Sequence, residues 1–175
     1  MAKNNRVLLL SLHNMEWLDI VDDHDVVIGS APAKEVYDAK NAHRIVHIIV
    51  KNTQEEIALQ LRSRTESFCP LHWCTSAGGH VQSGETYLDA AKRELKEELG
   101  IIALPTPLFH DYYESESGQR KFLTTFTVTH NGPFEPDPTE VESTDFFSLA
   151  TIWDMVQKGE KFVPELLFLL EEHFQ

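Results

Sequence analysis

Cysteine is scarce, with two in 175 residues, so no disulfide framework stabilises this chain. Cationic residues are also few. Fifteen Lys and Arg against 28 Asp and Glu give a formal net charge of -13, which argues against a nucleic-acid polymer as partner and against electrostatic attachment to an acidic membrane. No stretch reaches the roughly 18 consecutive apolar residues that suggest a membrane span. The apolar run from Val7 to Leu12 follows Lys3 and Arg6, but it is short for a signal peptide and lacks a small-residue cleavage pattern, so a cytoplasmic location is expected. Internal repeats, low-complexity linkers and charged tails are missing as well, and neither a Ser-His-Asp pattern nor a P-loop is evident. What is present is 42% hydrophobic residues, enough for one well-packed domain and too little for two. We expect an N-terminal β-rich extension over residues 1–40 and a main domain over 41–175. The apolar N-terminal run leaves room for a homodimer interface.

The densest chemistry lies between Gly79 and Ile101: Gly79-x5-Glu85-x7-Arg93-Glu94-Leu95-x-Glu97-Glu98-x-Gly100-Ile101. Thr86 and Asp89 form a Thr-x-x-Asp capping signal, Leu88, Ala91, Leu95 and Leu99 recur as one apolar stripe, and Gly100 suits a left-handed helix end. On that helix Glu94, Glu97 and Glu98 stand at i, i+3 and i+4 and project from one surface. Each like-charge pair costs only about 0.2–0.5 kcal/mol on an exposed helix, so a glutamate cluster by itself reads as a solvated face. The frame around it points to a divalent cation. Gly78-Gly79 permits close backbone approach before the helix, and Glu85 and Arg93 can pair across its start. Mg2+ suits a site of a few carboxylates, retained waters and phosphate oxygens, and Mn2+ can substitute.

These nine positions resemble the signature box of the Nudix hydrolases, which cleave a diphosphate joined to another group. The resemblance implies an α/β/α sandwich with a mixed β-sheet, here with the N-terminal β-hairpin extension. It also implies a small-molecule organic diphosphate as substrate, with Glu94, Glu97, Glu98 and the Gly79 carbonyl as metal ligands. Glu97, Glu98 and Arg93 would be catalytic and Glu85 orienting. Family members often carry a further glutamate after the box that binds metal or activates water; by position this is Glu140, with Glu142 its neighbour and competitor. Arg62 and Arg64, ahead of the box, are candidates for the substrate phosphates because guanidinium suits bidentate phosphate recognition.

Outside the box, Trp17-Leu18-Asp19-Ile20-Val21-Asp22, Ala42-His43-Arg44 and Trp73-Cys74-Thr75-Ser76-Ala77-Gly78-Gly79-His80 resemble the branch close to isopentenyl-diphosphate isomerase. That resemblance places His43 and His80 where such isomerases bind metal. However, Gly78 stands where they use a cysteine, and Gln119 and Lys121 stand near where they use glutamates. Allylic isomerisation therefore lacks its proton-transfer groups. Loss of turnover in favour of nucleotide or protein binding is the non-enzymatic alternative, and retention of mutually repelling glutamates argues against it. Cys69-x2-His72-x-Cys74 with His80 matches no common zinc spacing.

Along the remainder, Leu18–Val21 and Val26–Ile28 predict a hairpin around the acidic turn Asp22-Asp23-His24-Asp25. A short helix is expected within residues 32–42. Strands are expected over 45–51, 56–61, 107–114, 120–130 and near 145–147. Helices are expected over 149–158, capped by Ser148, and from Pro164 onward. Tyr112 and Tyr113 could stack a base, but one of an adjacent pair on a strand must point inward, so both are left out of the site.

Overall fold

The computed structural model describes residues 16–175. The run Val7–Leu12, and with it the expectation of a dimer surface there, lies outside the described residues. Strand β3 (His43–Lys51) is the organising element. It pairs in parallel with β8 (Arg120–Thr129) and antiparallel with β6 (Ala77–His80). Beyond β8 lies β7 (Thr106–Glu114). On the other side, β4 (Ile57–Arg62) meets the end of β3 and is flanked by β5 (Trp73–Cys74) and β9 (Val141–Phe147). The result is a mixed, seven-stranded sheet.

Period-two alternation along β3 explains the layers. Val46, Ile48 and Val50 pack with Ala91, Leu95 and Leu99 of α2 (Tyr87–Leu99). Ile49, on the opposite face, packs with Ile152 and Met155 of α3 (Leu149–Gln157) and Leu166 and Leu170 of α4 (Pro164–His173). Helices thus cover both faces, as expected for the α/β/α sandwich. The capping signals hold in detail: Thr86 Oγ1 accepts from the Asp89 N–H at 3.1 Å, Ser148 Oγ from the Thr151 N–H at 3.1 Å, and Gly100 ends α2 at φ 70°.

The N-terminal hairpin joins β1 (Trp17–Val21) to β2 (Val27–Pro32), followed by the short helix α1 (Ala33–Asp38). Its acidic turn is satisfied by its own backbone, because Asp22 Oδ1 accepts from the N–H groups of His24 and Val26. Asp25 accepts from Arg44 Nε at 2.7 Å and from the Tyr87 hydroxyl at 2.9 Å, and Asp19 accepts from Ser83 and Gly84. The hairpin is therefore tied to β3 and to the segment that opens α2. Strands β5 and β6 were not expected, because stretches of two and four residues containing Gly78-Gly79 carry no readable alternation. β9 begins at Val141, before the expected 145, its start hidden by Glu142, Ser143 and Thr144.

Candidate active site

A cleft of about 670 Å³ opens beside β6 and α2, with Gly78, Gly79, Arg93, Glu94, Glu97, Glu98 and Glu140 in its wall. The glutamates sit deeper than an exposed helix face would place them. Glu94 and Glu98 are only 7% and 4% exposed, because the β6 backbone lies over them, whereas Glu97 faces outward. Glu98 Oε2 accepts from the Gly78 N–H at 3.0 Å and from Gln60 Nε2 at 2.9 Å. Burial drives Glu94 up to about 7, against the pull of Arg93 and with help from Glu97 and Glu140. Burial, and then the neighbouring Glu94, raise Glu98 well above the usual carboxylate range.

Arg93 organises this cluster with every N–H it has. Nε and Nη2 grip the two Glu85 oxygens at 2.8 and 2.9 Å. Nη2 also reaches the His80 carbonyl at 2.9 Å, and Nη1 bridges Glu94 Oε1 at 2.6 Å and Glu97 Oε2 at 3.1 Å. Among the described residues no three His, Cys, Asp or Glu groups form a finished metal cage. Gly79 has a cradle of its own: a Cβ there would fall 2.4 Å from Glu94 Oε1. The absence of a side chain lets the carboxylate lie against the backbone, and two buried carboxylates of which only Glu94 has a cationic partner fit a divalent cation.

The structure brings Glu140 to this site through the loop before β9. Glu135 N–H and Asp137 N–H donate to the Leu99 and Glu98 carbonyls at the end of α2, at 3.0 and 3.2 Å, which ties the loop to the box. Burial and the nearby Asp137, Glu66 and Glu97 push the Glu140 carboxyl up. Glu142 is engaged elsewhere, paired with Arg64, and neither of the two lines the cleft. Arg62 does line it, holding Glu66 at 2.6 Å and the Phe68 carbonyl at 3.0 Å. Cys74 is buried, its thiol pushed up to about 12 chiefly by desolvation, and His72 turns to the Pro70 carbonyl at 2.8 Å. His80 lies between Glu16 and the Tyr37 hydroxyl, each at 2.9 Å.

Residues 41–166 match the model of the NUDIX domain. The chain belongs to the Nudix family. A Nudix hydrolase of Yersinia pestis is 35% identical over 128 residues, covering 73% of this chain and 70% of the relative. The Nudix hydrolase YfcD of Escherichia coli is 30% identical over 156 residues, covering 89% of this chain and 85% of the relative. Among solved structures, DR0079 from Deinococcus radiodurans superposes with a TM-score of 0.80 at 24% identity, covering 91% of this chain and all of its own. As a Nudix hydrolase the chain acts on diphosphate bonds of nucleoside diphosphate derivatives, and Nudix hydrolases generally use a divalent metal such as Mg2+ or Mn2+.

Sequence reasoning missed several groups that line the Nudix cleft: Glu16, Tyr37, His47, Phe68 and Glu165, with Lys121 noticed only as a replaced glutamate. The available signal was a polar residue inside an apolar alternation, at His47 in β3 and Lys121 in β8. Tyr112 and Tyr113 do not line the cleft. Gly79→Ala is expected to displace the Glu94 carboxylate from its seat and lower hydrolysis about a hundredfold, since small misplacements in a reacting site have effects of that size. Thermal melting should shift little. Activity within threefold of wild type would remove Glu94 from the cation site.

Proposed function

We propose that this chain hydrolyses a nucleoside diphosphate joined to another group with Mg2+ or Mn2+, using Glu94, Glu97, Glu98 and the Gly79 carbonyl to hold the cation. The observation that carries this reading is the pair of carboxylates Glu94 and Glu98, buried one helical turn apart in the wall of an open cleft, where burial raises both above the usual carboxylate range. When bound, the metal supplies positive charge for the non-bridging phosphate oxygens. Arg93 keeps Glu94 and Glu97 oriented and itself stays fixed by Glu85. Glu140, held at the cleft wall with a raised proton affinity, takes the proton of the attacking water as the new P–O bond forms and the bridging one breaks. Arg62 offers a guanidinium to the phosphates.

The isomerase alternative has a steric obstacle. A Cβ at Gly78 would lie 2.6 Å from the Val46 carbonyl oxygen, so a cysteine acid there would need the paired strands to move apart. Lys121, moreover, is committed to Glu165. Product formation from nucleoside triphosphates, dinucleotides, nucleotide sugars and isopentenyl diphosphate, with and without metal, tests the assignment. Metal-dependent hydrolysis is expected; isomerised product without phosphate release would overturn it.

The same carboxylates predict how metal and pH act together. Glu94, raised from 4.5 to about 7, keeps a proton in the folded chain that the unfolded chain gives up, so stability without metal falls as pH rises through that window. Glu98 acts in the same direction. His43 and His47, brought from 6.5 down to about 4 by burial, act oppositely, with stability falling as pH drops through their window. The two effects oppose each other below pH 6.5, and the carboxylates dominate above it. The gain in Tm from saturating Mg2+ is therefore expected to be larger at pH 8 than at pH 6, by about 5 °C for a chain of this size. A gain that is flat with pH, followed by scanning calorimetry, would contradict the cation assignment.

A further inference from the structure

The same cleft is lined by a second polar cluster, at one end formed by β8 and α4, that phosphate chemistry leaves unused. Lys121 on β8 and Glu165 in the first turn of α4 form an ion pair, Nζ to Oε1 at 2.5 Å, with the residues 6% and 5% exposed. Although burial opposes it, the Lys121 ammonium holds Glu165 below the usual carboxylate range, so the carboxylate is ionised. Its second oxygen, Oε2, has no partner among the described residues.

His47 adds a second unmatched acceptor, and its tautomer follows from geometry. Thr75 gives its single hydroxyl proton to the Ala77 carbonyl at 3.1 Å, so Thr75 Oγ1 accepts from His47 Nδ1 at 2.9 Å. The neutral ring thus carries its proton on Nδ1 and presents a bare Nε2, also buried and unpartnered. Lys121, Glu165 and His47 all line the cleft, together with the apolar Ile45 and Val163. Two aromatic rings flank the ammonium, with centroids 5.6 Å (Phe68) and 5.7 Å (Tyr37) from Nζ.

Buried acceptors without donors are uncommon in folded proteins, and here two of them adjoin one ammonium donor. The complementary ligand edge has two N–H donors beside an acceptor. An exocyclic amino group next to a ring nitrogen or carbonyl has that pattern, and a flat heterocycle suits the Phe68 and Tyr37 rings. An imide edge, with one N–H between two carbonyls, would leave an acceptor bare. A sugar diol could satisfy the polar groups but would offer no flat face to the half-exposed Phe68 ring.

We propose that this end of the cleft binds the base of a nucleoside diphosphate derivative and selects bases carrying an exocyclic amino group, such as cytosine and guanine, over their oxo or deamino counterparts, uracil and hypoxanthine. Glu165 Oε2 and His47 Nε2 accept the amino hydrogens, and Lys121 Nζ donates to the adjoining acceptor. This rests on the diphosphate reading of the same cleft.

Matched pairs of nucleotide sugars test it on the full chain with Mg2+: cytidine against uridine diphosphate glucose, and guanosine against inosine diphosphate glucose. The amino member is expected to be preferred about tenfold or more in kcat/KM, because a site with unmatched polar groups rejects the analogue that cannot pair them. Glu165→Gln should bring that ratio to within about twofold. Should that variant not fold, Lys121→Met combined with Glu165→Leu removes the pair without stranding a charge. Calorimetric binding of the same pairs to Glu98→Gln separates the two readings. Amino-selective binding without turnover by wild type keeps the base subsite and removes the hydrolysis; turnover without selectivity keeps the hydrolysis and overturns the subsite. Equal handling of both members, a ratio unchanged in the variants, or no binding of either member also overturns it.

Discussion

Glu98→Gln is expected to lose about a thousandfold in metal-dependent kcat, the scale of removing a principal source of transition-state charge stabilisation, while folding as wild type does. The carboxamide oxygen can still accept from the Gly78 N–H and Gln60 Nε2, which hold Oε2 now at 3.0 and 2.9 Å. The loss is charge, and burial, with the neighbouring Glu94, raises Glu98 well above the usual carboxylate range, so the folded chain without metal favours its uncharged form. Thermal melting without metal should therefore stay near wild type, and the Tm gain from Mg2+ should shrink. Glu97→Gln should lose activity comparably for a different reason, since its carboxylate faces outward beside Arg93 Nη1 and has no structural burden to carry. Steady-state rates over a Mg2+ titration decide the matter. Either variant turning over within tenfold of wild type at saturating metal would exclude that residue from the cation site.

Arg93→Lys is expected to destabilise the fold by about 3 kcal/mol, the scale of breaking a largely buried ion pair by altering one partner, and to lower Tm by about 9 °C in a chain of this length. Arg93 spans Glu85, Glu94, Glu97 and the His80 carbonyl with a planar fork. A lysine ammonium is a single point charge and cannot bridge acceptors set that far apart. Glu94 would then lie next to Glu97 and Glu98 with less compensation, and hydrolysis should fall about a hundredfold as the carboxylates lose their orientation. Denaturant unfolding and initial rates measured on one preparation test both parts. A lysine variant as stable as wild type would mean that the network is a solvated surface arrangement.

How much of this was legible beforehand differs between the helix and the cleft. The α2 segment was readable because its information is local. Thr86 and Asp89 cap it, Leu95 and Leu99 mark its apolar stripe, Gly100 ends it at positive φ, and the spacing of Glu94, Glu97 and Glu98 fixes their common surface. The alternation in β8 and the length of β3 were local signals of the same kind. Strands β5 and β6 gave none, being short and, in β6, rich in glycine. Their existence depends on pairing with β3 and β4, which neighbouring residues do not encode.

The sequence by itself determined the box, its helix, the acidic character of the site and thereby the family and reaction class. Tertiary structure decided that Glu94 and Glu98 are buried under β6, that Glu140 faces the cleft while Glu142 pairs with Arg64, and that Lys121 meets Glu165 across 44 positions of chain. The physical reason is that helix periodicity acts over a few residues, whereas burial, charge pairing and the raised carboxyl of Glu94 arise only when β3, β6, β8 and α4 have packed together and displaced water from between them.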